Sequence, residues 1–369
     1  MYSLSYLYQA LGENWYADYA ERTAFNALPG VMSPDWWARQ YMAEPNQPWT
    51  KNLSQTPFSD VNTVGQMFTL EGNYPCCTVN HPQGYPKFLS ASFVTTGTDG
   101  LAHALLAPAN VTTTLENGAN VAIIITTTNY PFDLDLVYTV KTSAPFNFYV
   151  RVPGWAIESQ STTALNTTDG PLRAVDPDPS TGMHQVPIPL AGTFQVRYHL
   201  ETALRTEPRP SGSVAVYYGA LLYGLAIASS ESSTVPWDYR TKAPMPPGYA
   251  PPQARDWTIV NASAWNYAID PDTLQYHYGG QAAPGKALAN PIWAPNAPPN
   301  YVTASACLIS WPLYKGSIPG RVPAPAQRVC LGDAVTVQLR PYGSTKLHMV
   351  DLPTVHLASG TKTMLVQVE

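Results

Sequence analysis

The sequence predicts a mixed, mainly β fold: a helical segment over residues 1 to 95 followed by two antiparallel β-sandwich domains. Three observations carry this reading. Helical patterning stops near residue 95, and from Gly100 onward runs rich in β-branched and aromatic residues recur between clusters of Pro, Gly, Asn and Asp. The 37 prolines of the 369-residue chain gather largely in the connectors, where a fixed φ stiffens the loop and the missing N–H costs little.

Taken in order, Met1 to Ala10 and Trp15 to Leu28 read as two helices joined by the break Gly12-Glu13-Asn14, with Pro29-Gly30 ending the second. This is an αα-hairpin. In the second helix Trp15, Tyr19, Arg22 and Asn26 share one stripe, while Asp18, Glu21 and Phe25 share the adjacent face. Such a surface suits the lining of a sugar cavity, or equally a half-buried helix with Glu21 and Arg22 in solvent. Further on, Pro75 and the run Lys87 to Phe93 suggest a turn leading into another helix.

The expected strands of the first sandwich, within residues 96 to 235, are Val121 to Thr128, Leu134 to Val140, Phe146 to Val152, Phe194 to Leu200 and Val214 to Tyr218. Short strands at this density argue for an antiparallel sandwich. A Pro-rich stretch over 236 to 254 reads as a long ordered connection or linker between the two sandwiches. The second sandwich, within 236 to 357, would use Trp257 to Val260, Trp265 to Ile269, Tyr301 to Trp311 and Ala334 to Leu339. Residues 358 to 369 form a tail.

Composition narrows the functional classes. With 45% hydrophobic and 12% charged residues the chain is globular and long enough for two or three domains. A net charge of -5 with no Lys/Arg cluster disfavours nucleic acid as a partner. The longest apolar run, Val121 to Ile125, is strand-sized, so no membrane span is expected. The start Met1 to Ala10 lacks the basic opening and cleavage site of a signal peptide. Asn-x-Ser/Thr sequons at Asn52, Asn110, Asn166 and Asn261 would fit a secreted glycoprotein, although roughly two or three would arise by chance.

The chemistry concentrates in the segment from Glu71 to Asn80, which contains the adjacent cysteines Cys76 and Cys77. Successive Cα atoms lie about 3.8 Å apart, below the usual disulfide range of roughly 4.4 to 6.8 Å, so a bridge between neighbours is strained. Two adjacent thiolates can instead supply half of a site for a borderline-soft ion such as zinc, which takes about four ligands. The amides at the start of the following helix would favour thiolate over thiol. The plain alternative is that both are buried, or paired with Cys307 and Cys330; those two in turn are either bridged or free. Of the seven histidines, only His81 is near the pair, and no phosphate loop or nucleophile elbow is present.

Five segments together resemble a known family. They are Tyr2 to Tyr8, Tyr16 to Pro29, Leu70 to Asn80, Arg151 to Ala156 and Pro341 to Leu347, in that order. They are similar to successive blocks of glycoside hydrolase family 127, the β-L-arabinofuranosidase-like proteins. The resemblance implies the C-terminal helices of an (α/α)6 barrel, at residues 1 to 95, followed by the two β-sandwiches. It implies that Cys76 is the nucleophile of a retaining mechanism, that Cys76 and Cys77 ligate zinc, and that Glu21 lies in the active-site cavity, as a substrate-binding residue that orients sugar hydroxyls or as a brace of its helix. A third cysteine, a ligand Glu and the acid/base Glu of the family match no residue of this chain. A fragment that is inactive alone is therefore expected, with a carbohydrate of arabinofuranoside or plant-wall type as the parent's substrate and an extracellular location for that parent. Two further expectations stand beside it: a product that joins another chain, and a non-catalytic carbohydrate-binding or structural module. For that module Trp237, Tyr239, Trp257 and Trp293 are the candidate stacking platforms.

Overall fold

A computed structural model describes residues 1–70, 72, 74, 76–165, 172–238, 240–279, 288–358 and 364–366. The chain is mainly β, with few helices, and forms two compact units assembled from separated stretches. The first comprises Met1–Phe25, Pro82–Ala203 and Tyr218–Leu221; the second comprises Asn26–His81, Leu204–Tyr217 and Leu222–Glu369.

In the first unit the expected helix hairpin is present as Tyr2–Leu11 and Asn14–Arg22. Gly12 supplies the left-handed residue at φ 75° that ends the first helix, and its N–H donates to the Tyr8 carbonyl. The second helix runs into a π turn at Thr23–Ala27. A six-stranded antiparallel sheet has the order Arg173–Ala174, Thr162–Leu165, Gly192–His199, Asp135–Thr142, Asn120–Thr127 and Val111–Thr114. A four-stranded sheet has the order Met183–Ile188, Phe146–Arg151, Gly100–His103 and Phe93–Thr96, its two central strands parallel.

Alternation fixes which side chains form the core. Along Asp135–Thr142 the buried positions are Leu136, Tyr138, Val140 and Thr142; along Gly192–His199 they are Phe194, Val196 and Tyr198. Tyr138 links the two sheets: its ring lies 5.2 Å from that of Phe148, edge-on, and its hydroxyl is 2.9 Å from His103 Nδ1. The run Lys87 to Phe93 is split by the structure. Gly84–Ser90 is helical, and Phe93 already opens a strand whose ring stacks on His103 at 4.4 Å.

The second unit holds an eleven-stranded curled sheet, among the described residues, whose main path is Asn46–Gln47, His348–Met349, Leu221–Ala226, Val335–Pro341, Asn300–Leu308 and Tyr267–Ile269. A smaller sheet pairs Ser229–Thr234 with Asp256–Asn261 and Asp256–Asn261 with Trp49–Thr50. Cys307 and Cys330 are bridged, with Cα atoms 5.4 Å apart, which decides between the two states left open above.

Two expectations change here. Residues 1 to 95 are not all helical: the stretch between Gly30 and Cys76 is mostly loop, and its two short strands, Asn46–Gln47 and Trp49–Thr50, join sheets of the second unit. The Pro-rich stretch 236–254 links neighbouring strands of one sheet, since Ser229–Thr234 runs antiparallel to Asp256–Asn261. Proline stiffens a long hairpin connection and an interdomain linker alike, so composition could not separate them. Of the sequons, Asn52 and Asn110 are exposed, Asn261 is half-buried and Asn166 lies outside the described residues.

Candidate active site

Cys76 and Cys77 open the short helix Cys76–Asn80 rather than preceding a longer one. Five residues carry little of a macrodipole, so little of the expected stabilisation of thiolate by helix N-terminal amides is available. What holds the segment is Arg39, only 5% exposed. Its Nη2 donates to Thr78 Oγ1 at 2.7 Å and to the carbonyls of Leu70 and Tyr74 at 3.4 and 3.5 Å. Thr78 Oγ1 in turn donates to the Leu70 carbonyl at 2.8 Å, and Asn80 Nδ2 donates to the Cys76 carbonyl at 2.7 Å. These contacts tie both ends of the cysteine turn to one fixed point.

The two sulfurs lie 4.0 Å apart, with Cys76 exposed and Cys77 half-buried. That separation is about twice a disulfide bond, and both thiols are free. It is close to the roughly 3.8 Å edge of a tetrahedron built on zinc–sulfur bonds of about 2.3 Å, so the pair fits two corners of a zinc site. Burial raises the Cys77 thiol pKa, the Arg39 charge opposes this, and the Cys76 thiol adds to the rise.

His81 does not complete that set: its Nε2 faces the Leu28 carbonyl at 2.9 Å, and burial lowers its pKa. Among the described residues no third Cys, His, Asp or Glu joins the two sulfurs in a ligand group. The group that does form, Asp270 with Asp272 and His356, is elsewhere in the second unit. Both Asp270 carboxylate oxygens already accept backbone N–H groups, from Asp272 and Leu357.

Glu21 has a different setting. Expected to contact sugar, it is 0% exposed in the first unit. Oε1 accepts the Leu106 N–H at 2.7 Å and the Arg151 guanidinium, and Oε2 accepts the Tyr130 hydroxyl. Arg151, also 0% exposed, further donates to Asp18 Oδ1 at 2.6 Å, Asn14 Oδ1 at 3.0 Å and the Ala104 carbonyl at 2.7 Å. The face shared by Asp18, Glu21 and Phe25 therefore points inward, while Trp15 and Tyr19 are exposed. Burial works against the Arg151 charge, yet Glu21 and Asp18 outweigh it and hold the guanidinium protonated. Burial, and then the Glu21 carboxylate, raises the Tyr130 pKa well above the phenol range. An enclosed carboxylate with both oxygens committed is a structural anchor.

Arg151 lay in one of the resembling blocks without a role. Its signal was a single cation inside the otherwise strand-like run Phe146 to Val152, which calls for a buried partner. Arg39 carried no comparable pattern. Of the expected aromatic platforms, Trp237 is exposed and Trp257 half-buried, whereas Trp293 is 6% exposed and packed near Gly343. Tyr239 lies outside the described residues.

Three solved structures were found to match almost all of the chain. A GH127 β-L-arabinofuranosidase from Geobacillus stearothermophilus T6 is 17% identical with a TM-score of 0.58, over 94% of this chain and 47% of the other. A glycoside hydrolase is 15% identical with a TM-score of 0.62, over 95% and 50%. A GH127 β-arabinofuranosidase is 15% identical with a TM-score of 0.56, over 98% and 49%. The chain shares their fold. It spans about half the length of these proteins. No family model and no curated protein matches the sequence.

Proposed function

We propose that this chain carries the thiol-bearing part of a retaining glycoside hydrolase active site, acting on β-L-arabinofuranosides or related plant-wall glycans. The observation that carries the reading is the pair of free sulfurs 4.0 Å apart on a turn held by Arg39, in a fold shared with β-L-arabinofuranosidases. Cys76, the exposed member, is the nucleophile; Cys77, half-buried beside it, is its fellow ligand. Bound zinc would keep the sulfurs deprotonated near neutral pH. Cys76 Sγ attacks the anomeric carbon as the bond to the leaving oxygen breaks, and water later releases the sugar with net retention. An acid must protonate that leaving oxygen, and Glu21 cannot serve, because it is enclosed. We assign Glu21 to holding Arg151 in the first unit.

With two of about four zinc ligands in place among the described residues, this polypeptide is expected to bind metal weakly and to be inactive by itself. The test is metal analysis of the purified chain beside Cys76→Ala, with an aryl β-L-arabinofuranoside as substrate. Stoichiometric zinc with turnover, both lost in the variant, would show a complete site and overturn the inactivity; no zinc affinity at all, and none dependent on either cysteine, would overturn the reading of the pair.

A second reading, a carbohydrate-binding module, has one observation in its favour. The first unit has a groove of about 970 Å³ lined by Tyr149, Phe93, Gln185 and Asp176, a mix of ring faces and polar groups suited to sugar. Arabino-oligosaccharide binding that survives Cys76→Ala favours this reading.

A further inference from the structure

The block Pro341 to Leu347 resembles a family segment, but the thiol chemistry leaves it without a role. Lys346 stands out within it. Its side chain is only 4% exposed, and among the described residues no carboxylate lies within ion-pair distance. Nζ donates to two backbone carbonyls, Pro29 at 3.2 Å and Gly343 at 3.1 Å. A neutral amine has two N–H groups and one lone pair, so these two acceptors take both N–H groups and leave the lone pair uncommitted. An ammonium would hold a third N–H with no protein partner among the described residues, a costly state at this depth.

Lys346 also lines a cavity of about 280 Å³ within the second unit, together with Glu231, Asn296, Arg340, Ser344 and Thr345. A buried amine at the edge of a polar cavity is poised differently from a surface lysine. We propose that Lys346 and this cavity form a covalent binding site for small hydroxyaldehydes. The amine lone pair adds to the carbonyl carbon, the carbonyl oxygen takes the proton lost by nitrogen, and departure of water leaves an imine. Hydrolysis reverses the step, and no oxidant or reductant is required. Asn296, Ser344 and Arg340 offer hydrogen-bonding groups to hydroxyls of the bound molecule.

Protonation supports the geometry. Burial lowers the Lys346 pKa to about 7, with the Glu231 charge opposing it. The charged or titratable groups facing it are Glu231 on Ser229–Thr234, Arg340 on Val335–Pro341 and His348 on His348–Met349. At pH 7 about half of the Lys346 amine is then neutral, against on the order of one part in a thousand for an exposed lysine.

The test exposes the unmodified chain to glycolaldehyde and cyanoborohydride at pH 7, then maps the reduced adducts by peptide mass spectrometry. Lys346 should be labelled at least about tenfold faster than the exposed Lys141, Lys242 and Lys315. The exposed-side variant Glu231→Gln should shift the pH profile of Lys346 labelling downward, because a carboxylate that favours the ammonium is gone. Labelling of Lys346 no faster than the exposed lysines overturns the proposal. The readout is independent of zinc and of glycoside turnover.

Discussion

The pocket around Arg151 and the turn bearing Cys76 are both rich in polar groups, yet one is closed and the other open. Around Arg151, two carboxylates, an amide and a carbonyl meet every guanidinium nitrogen inside the first unit, with no exposed surface on Arg151 or Glu21. At Cys76 the supporting bonds stop at the backbone and at Thr78; the sulfur itself is exposed. A satisfied buried network fixes a conformation, whereas a positioned but uncommitted group is available for chemistry. The contrast separates residues that resemble a catalytic family in sequence into those that build the scaffold and those able to react.

The largest expected effect breaks the closed side. Arg151→Met strands Glu21 and Asp18 without their cation, and removing one partner from a buried ion pair typically costs about 3 to 5 kcal/mol. Chemical denaturation followed by tyrosine and tryptophan fluorescence should show a loss of this order in the first unit. A loss below about 1 kcal/mol would mean that the network contributes little. Arg39 offers the sharper counterpart, because it holds the turn through Thr78 and the Leu70 and Tyr74 carbonyls, and its loss should also disturb the two thiols.

Acid should separate the regions next. His103 is enclosed between Phe93 and Tyr138, and burial lowers its pKa to about 3 from 6.5. The folded-state value is depressed, so between pH 6.5 and 3 the unfolded chain holds the extra proton, and stability falls as pH falls through that window. The slope is at most about 1.4 kcal/mol per pH unit. Denaturation midpoints measured from pH 7 to 4 should decline, and His103→Gln should flatten the decline. A pH-independent midpoint in both proteins would show that His103 is hydrated in the folded state.

Legibility from sequence followed the same divide. Strands rich in β-branched and aromatic residues and bounded by turn residues were read nearly to their ends: Phe146–Arg151, Asp135–Thr142 and Asn120–Thr127 lie within two residues of the expected runs. Short pairings were not read, because Asn46–Gln47 and Trp49–Thr50 gain their partners from residues about 300 and 210 positions away, and no local pattern encodes that. That Cys76 and Cys77 do not bridge each other was legible, because a disulfide between neighbours is strained. The burial of Glu21 was not, since a helix face of mixed polarity can line a cavity or a core, and only the partners Arg151, Tyr130 and Leu106 decide which.

The smallest expected effect is on the open side, and it is the one that tests the contrast most directly. Cys76→Ser removes no buried contact, because Cys76 is exposed and its sulfur meets the Cys77 sulfur at 4.0 Å. Exposed substitutions of this kind usually shift stability by no more than about 0.5 kcal/mol. Folding should therefore be unchanged while alkylation by iodoacetamide falls by the share of the more exposed thiol, leaving only the slower reaction of half-buried Cys77. If Cys76→Ser instead lowered the denaturation midpoint as Arg151→Met does, the turn would be part of the scaffold, and the division between a committed and an available polar site would fail.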